Sequence, residues 1–345
     1  MRVLVASAGV AGIAAAEAGG AVARGWLRAA PGSELVVVPL AAGGPDLVAA
    51  AAYLWRADVA LLADDDAVLV TARAGGGVVV APETPPGPPP ALEDRPGSHL
   101  LGRALAAVLA DRPAPRSVVL DLTSVWSHDA GRGLLDELGG LGAARERLAG
   151  TRLVAVVAPG ETTTALLGLR GTTALRGHAT ATTPDQALLV ELDAELERFA
   201  REQAPEVVGV RGAGAAGGCG FAVLALGGSL VTGTDWLAEE AHLQQTVAAA
   251  DVVVTTCTGF DFAHRGGPEV QAVAGWAAAT SRPCVVLAGS VQIGARETRL
   301  MGVESAHALG PVPLVGQEPV VDPDGLEALA LRVGRSWAVG SSAGR

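Results

Sequence analysis

Short β-branched apolar runs alternate with longer stretches whose apolar positions recur about every 3.6 residues. Arg2–Ala6, Glu34–Leu40, Gly77–Ala81, Ser117–Leu122, Arg152–Val157, Asp251–Thr255 and Pro283–Ala288 have the length and composition of buried strands. Between them, Ala14–Ala29, Ala41–Leu54, Ala130–Leu138, Trp236–Ala249, Glu269–Thr280 and Pro323–Ser336 read as helices. Pro184–Gln203 is the clearest amphipathic helix, with Leu188, Leu189, Leu192, Leu196 and Phe199 on one face. Asp58–Leu62 and Ala67–Thr71 read as a pair of short strands around Asp64, Asp65 and Asp66, a solvated turn by residue type. This β-then-α rhythm predicts parallel sheets covered by helices.

The pattern breaks at Pro82–Gly97, PETPPGPPPALEDRPG, where proline excludes regular structure. That segment reads as a linker between domains, and 345 residues suit about two of them. A second interruption is VVGVRGAGAAGGCGFAVLAL, Val207 to Leu226. Here an expected strand, Val207–Val210, runs into a glycine cluster and then an apolar helix. Such a unit presents backbone N–H groups as an anion-accepting concavity. Gly212, Gly214 and Gly217 also satisfy G-x-G-x-x-G, with Asp235 at the distance of a ribose-binding acid, so nicotinamide binding is a weak alternative.

Composition narrows the chemistry. Half the residues are apolar but only 3% are aromatic, so the core is built from Ala, Val and Leu. A net charge of −11 excludes binding to nucleic acid by phosphate neutralisation. Cys219, Cys257 and Cys284 are isolated, which suits a reducing, cytoplasmic setting. No apolar run is long enough for a membrane span, and the start reads as a first strand rather than a signal peptide. Cys257, Asp261 and His264 crowd one loop and form an alternative nucleophile site, against simple burial of the thiol. All 25 basic residues are arginine. Any cation facing a phosphoryl group must then be arginine or a metal.

Seven segments, in order, resemble the bacterial glycerate kinase family. They are Ser7–Ala11, Pro39–Asp46 around Gly43 and Gly44, Thr123–Gly131 with Asp129, the Leu166-Leu167-Gly168 and Gly171 positions, the cluster Gly212–Gly220, Asp251–Asp261, and Val286–Val291 with Gly289 and Ser290. The resemblance implies an α/β, two-domain glycerate kinase-like fold. Residues 1–81 and 282–345 would form a discontinuous flavodoxin-like (Rossmann-type) domain. Residues 82–281 would form an inserted α/β domain that begins with the linker 82–97. Val285–Ala288 should then share a sheet with Arg2–Ala6.

The resemblance also implies ATP-dependent phosphorylation of glycerate or a related small hydroxy acid, with ATP and Mg²⁺ as cofactors. The small-molecule ligand would lie in a cleft between the domains, and oligomerisation is left open. Asp129 and Asp261 would be catalytic, although Asp129 by residue type also caps a helix. Ser7, Gly43, Gly44, Arg211, Gly212, Gly214, Gly217, Gly218, Gly289 and Ser290 would bind nucleotide, phosphate or substrate. The glycines and strand residues match the family, whereas most loop charges do not. Ala42, Pro45 and Cys257 stand where the family carries acids, and the family's lysines are absent. Glycerate phosphorylation is therefore expected to be very slow or absent unless Arg170, Arg211 or Arg265 substitutes. The alternative is an inactive or repurposed homologue that binds a small ligand.

Overall fold

The computed structural model describes residues 1–64, 67–83, 90–111, 113–123, 125–179, 185–313 and 319–342. Asp65, Asp66, residues 84–89 of the proline-rich segment, Ser124 and Pro184 lie outside them. Eleven strands occur among the described residues: β1 (Arg2–Ser7), β2 (Glu34–Pro39), β3 (Val59–Asp64), β4 (Ala67–Ala74), β5 (Gly77–Pro82), β6 (Ser117–Asp121), β7 (Arg152–Val157), β8 (Ser229–Thr232), β9 (Val252–Phe260), β10 (Cys284–Val291) and β11 (Ser305–Ala308). No helix among these residues is long and apolar enough to cross a membrane.

The chain forms two compact units, Met1–Ala42 with Thr234–Arg345, and Gly43–Gly233. In the first, five parallel strands are ordered β11-β10-β9-β1-β2. This is the doubly wound order in which the connections reverse beside the first strand. β10 thus shares its sheet with β1, as expected. The core joins Val3, Val5, Trp26, Val254 and Leu287 to Leu326, Leu329 and Val333 of the helix Pro323–Ser342. Six strands form the second sheet, β3-β4-β5-β6-β7-β8, with β3 to β5 antiparallel and β5 to β8 parallel. Its core packs Val80, Leu120 and Ala155 with Leu105, Leu134, Phe221 and Val223.

The expected boundaries at 81 and 282 are displaced. β3, β4 and β5 pair into the second sheet through β5 and β6, and β9 pairs with β1 in the first. The β-ribbon 59–82 carries a strand pattern without any sign of its partner, so proline content misplaced the boundary. A second expectation also fails. Val207–Val210 is not a strand: Pro205–Val207 is a short 3₁₀ turn after the helix Gln186–Gln203. Pro205 supplies a fixed φ suited to a helical first turn.

Small residues set how closely the helix Ala15–Ala29 approaches the helix Pro323–Ser342. A Cβ at Gly25 would stand 2.1 Å from the Glu327 carbonyl oxygen, while one at Gly20 would meet nothing nearer than the tip of Arg24 at 3.6 Å. Gly20→Ala should therefore stabilise the protein by about 0.5–1 kcal/mol through helix propensity. Gly25→Ala should destabilise it by about 1–2 kcal/mol, because overpacking exceeds the same gain. Urea unfolding of the two variants measures both signs.

Candidate functional site

Each unit gathers chemistry at the C-terminal ends of its parallel strands, where ligands of open α/β sheets bind. In the first unit β1, β9 and β10 deliver Ser7, Asp261, Gly289 and Ser290. Ser7 is fully buried and donates to the Ala15 carbonyl at 2.6 Å. Thr256 Oγ1 receives the Ala8 N–H at 3.0 Å, donates to the Ala8 carbonyl at 2.7 Å, and Thr258 Oγ1 receives the Ala11 N–H at 2.8 Å. The loop after β1 is thus fastened to β9. Ser290 is buried opposite Gly259, and a Cβ at Gly289 would stand 2.6 Å from the Thr258 carbonyl.

Asp261 begins the loop after β9 and accepts from the His264 N–H at 2.6 Å and lies 3.1 Å from its Nδ1. The His264 backbone donor, more than its ring, holds the carboxyl below its ordinary range. Cys257 is buried, and burial pushes its thiol up to about 12, so it does not supply a thiolate nucleophile.

In the second unit the motif segments meet. Gly43 lies against the end of β6: its Cβ would stand 2.0 Å from Thr123 Oγ1 and 2.8 Å from Asp121 Oδ1. Gly44 follows as the buried first residue of the helix Gly44–Trp55. The glycine cluster presses on two other loops. A Cβ at Gly217 would fall 1.6 Å from the Ser127 carbonyl oxygen, at Gly218 2.7 Å from Ala130 Cα, and at Gly214 2.0 Å from the Ala165 carbonyl oxygen. Ser127 Oγ in turn donates to the Ala216 carbonyl at 2.8 Å.

These contacts change the role of the cluster's donors. The N–H groups of Gly212 and Gly214 both reach the Thr164 carbonyl, at 3.1 and 3.0 Å, and Gly218 N–H reaches the Gly214 carbonyl at 3.2 Å. Ala216 N–H donates to Glu161 Oε2 at 3.1 Å. So the expected open concavity is instead stitched shut by the loop 160–165, with a carboxylate already on one donor. Burial raises the Glu161 pKa, and the Ala216 N–H partly offsets this. The dinucleotide reading of Gly212, Gly214 and Gly217 also lacks its leading strand.

Asp129 accepts four hydrogen bonds. Oδ1 receives the Gly131 N–H at 2.9 Å, and Oδ2 receives Ser98 N–H, Ser98 Oγ–H and Gly133 N–H at 2.8, 2.9 and 2.9 Å. This carboxylate caps the helix Arg132–Glu137 and anchors the segment entering the helix His99–Leu109. Arg211 is exposed beside the cluster, as is Arg170 on the neighbouring loop, and neither pairs with a carboxylate among the described residues. Next to Asp129, His128 is 5% exposed, with Nε2 at 3.1 Å from Thr173 Oγ1 and Nδ1 buried without a partner among the described residues. Glu161, His128, Thr173 and Arg176 carry no motif signature. The only signal for them is polarity on a helix and loops that otherwise bury small apolar residues.

Two outcomes follow from this geometry. Gly217 has φ of 65° besides its contact with Ser127, so Gly217→Ala should cost about 2–4 kcal/mol. Exposed Gly209 has open space around it, and Gly209→Ala should stay within about 0.5 kcal/mol. Thermal melts of the pair compare them. Burial, with Arg176 nearby, pushes His128 from its ordinary 6.5 down to about 4. The unfolded chain therefore takes up this proton first. The His128 contribution should be intact above about pH 6.5 and fade by about 3 kcal/mol as pH falls to 4. Stability of wild type and His128→Gln across that range should differ in slope, the variant being flatter.

A model of the glycerate kinase family matches residues 141–337. An uncharacterized protein of Mycobacterium bovis (strain ATCC BAA-935 / AF2122/97) is 32% identical over 327 residues, 90% of this chain and 84% of its own. A glycerate kinase of Bacillus cereus (strain ATCC 10987 / NRS 248) is 25% identical over 251 residues, 65% of each chain. A crystal structure of a protein assigned as glycerate kinase 2, from Salmonella typhimurium LT2, superposes with a TM-score of 0.76 at 20% identity, covering 100% of this chain and 99% of that one.

Proposed function

Since this chain belongs to the glycerate kinase family, we propose that it is an ATP-dependent phosphotransferase for glycerate or a related small hydroxy acid, with turnover well below one per second. The observation that carries this reading is the meeting of segments 43–44, 121–123, 125–131, 160–171 and 212–220 around the ends of β6 and β7. Residues far apart in sequence converge where a ligand would sit in an α/β unit.

The fit to ATP rests on Arg170 and Arg211, exposed cations on the two loops that Gly212 and Gly214 tie together. Arginine's planar fork suits phosphate oxygens. Bound nucleotide with Mg²⁺ would supply the phosphoryl group and neutralise its charge. Among the described residues no group of three or more His, Cys, Asp or Glu could hold a metal ion. Mg²⁺ would then arrive with the nucleotide and need only one or two carboxylates. The chain's own residues would bind and orient the hydroxy acid. Asp129, with four donors on it, would hold loop geometry rather than take a proton.

A second reading is a ligand-binding homologue without transfer. It is favoured by the occupied N–H groups of Gly212, Gly214 and Gly218 and by the lack of lysine. Each missing donor to the transition state costs roughly 10²–10³ in rate, so several can abolish turnover. A coupled assay of ADP release, with Mg-ATP and a panel of small hydroxy acids, separates the readings. Slow turnover on glycerate or a relative, lowered further in Arg211→Ala, is the expected result. Turnover of about one per second or faster contradicts the slow transfer proposed here. No turnover on any member of the panel leaves the second reading standing.

A further inference from the structure

Arg176 is a half-buried guanidinium without an anion. Its Nη1 donates to the Ser127 carbonyl at 2.8 Å and its Nη2 to the Pro90 carbonyl at 3.0 Å. Those are neutral acceptors, and among the described residues no carboxylate pairs with it. Its Nε is buried and has no partner among the described residues. Guanidinium has five N–H donors, so three remain after these two bonds, Nε–H among them.

His128 sits on the same support. Its ring meets Thr173, one turn before Arg176 on the helix Thr172–Ala179. Ser127, which precedes it, receives the Arg176 bond. Nδ1 of His128 is likewise buried without a partner among the described residues. Asp129, the adjacent acid, is taken by its four donors. Trp126, 41% exposed, places its ring 6.0 Å from the guanidinium. The guanidinium is thus half withdrawn from water with donor capacity to spare, and among the described residues no carboxylate bonds to it. Burying a charge in this way is costly unless an opposite charge joins it.

We propose that Arg176, His128 and Thr173 form a subsite for a small oxyanion, and that its ligand is the carboxylate of the hydroxy acid taken by the second unit. The choice of carboxylate rests on the reading above; the oxyanion subsite does not. Arg176 Nε–H and a free Nη N–H lie side by side and match two carboxylate oxygens. With Nε2 accepting from Thr173, His128 keeps its proton on Nδ1 and adds a third donor.

Titration calorimetry of the full chain with glycerate, and separately with inorganic phosphate, tests this at fixed pH and ionic strength. Wild type should bind glycerate in preference to phosphate. Arg176→Gln should weaken glycerate binding at least tenfold, and Arg176→Lys should lose less. Equal affinity in wild type and a cooperatively melting Arg176→Gln overturns the proposal. Preference for phosphate keeps the subsite and overturns the carboxylate assignment. Should Arg176→Gln fail to fold, the ¹⁵N resonance of His128 Nδ1 in the wild type decides. It should move on saturation with glycerate, and an unmoved resonance, or no binding of either anion, overturns the subsite. These readouts need no turnover. An inactive protein that binds through Arg176 defeats the phosphotransferase reading alone. An active one that binds without Arg176 defeats the subsite alone.

Discussion

Backbone can touch backbone only where no side chain intervenes. The second unit is arranged around that condition. The segments 127–130, 160–165 and 212–220 lie so close that a single Cβ at Gly214, Gly217 or Gly218 would meet main-chain atoms at 2.0, 1.6 or 2.7 Å. Gly43 meets Thr123 in the same manner at the end of β6. The main-chain hydrogen bonds between these loops depend on this approach. Asp129 and Ser127 then add side-chain ties to a frame already set by the glycines. The glycines that look like a ligand cradle in sequence therefore serve first as packing surfaces.

That double use explains what the sequence could and could not disclose. Strand periodicity located β1, β2, β6, β7, β9 and β10 closely, because each is a short apolar run, buried on two faces in all but the edge strand β2, where Glu34 and Val36 are exposed. It could not say that β5 turns to β6 rather than to β1, since pairing partners leave no local trace. Val207–Val210 had the composition of a strand but followed Pro205, which opens a 3₁₀ turn there instead. At the site, Gly43, Gly214, Gly217 and Gly218 were legible as special positions. Whether the N–H groups of Gly212 and Gly214 were free was not legible, because that depends on Thr164, about fifty residues earlier in the chain. Arg176 was invisible in a chain where arginine supplies every basic residue.

Two kinds of electrostatic setting occur in the molecule. Surface pairs such as Arg24 and Arg28 with Glu327 lie in water and contribute little to stability. Around Ser127 and His128 the balance is reversed, with a half-buried guanidinium and a neutral imidazole held by carbonyl and hydroxyl oxygens. Replacing lysine with arginine throughout favours that arrangement. A guanidinium is more weakly hydrated than an ammonium and can satisfy several carbonyls while remaining charged.

The order in which the chain is made bears on the first sheet. β1 pairs Val3 with Val252, across a stretch that contains the whole of the second unit. At translation rates of about 5–20 residues per second, β1 waits roughly 12–50 s for the strand that flanks it. During that time Val3, Leu4 and Val5, apolar and destined for full burial, have only β2 and the helix between them for cover. The continuous second unit can close as soon as β8 emerges, while the first cannot complete its centre until nearly three quarters of the chain exists. Nascent-chain protection of the amino-terminal strand is thus a demand that the topology itself places on the cell.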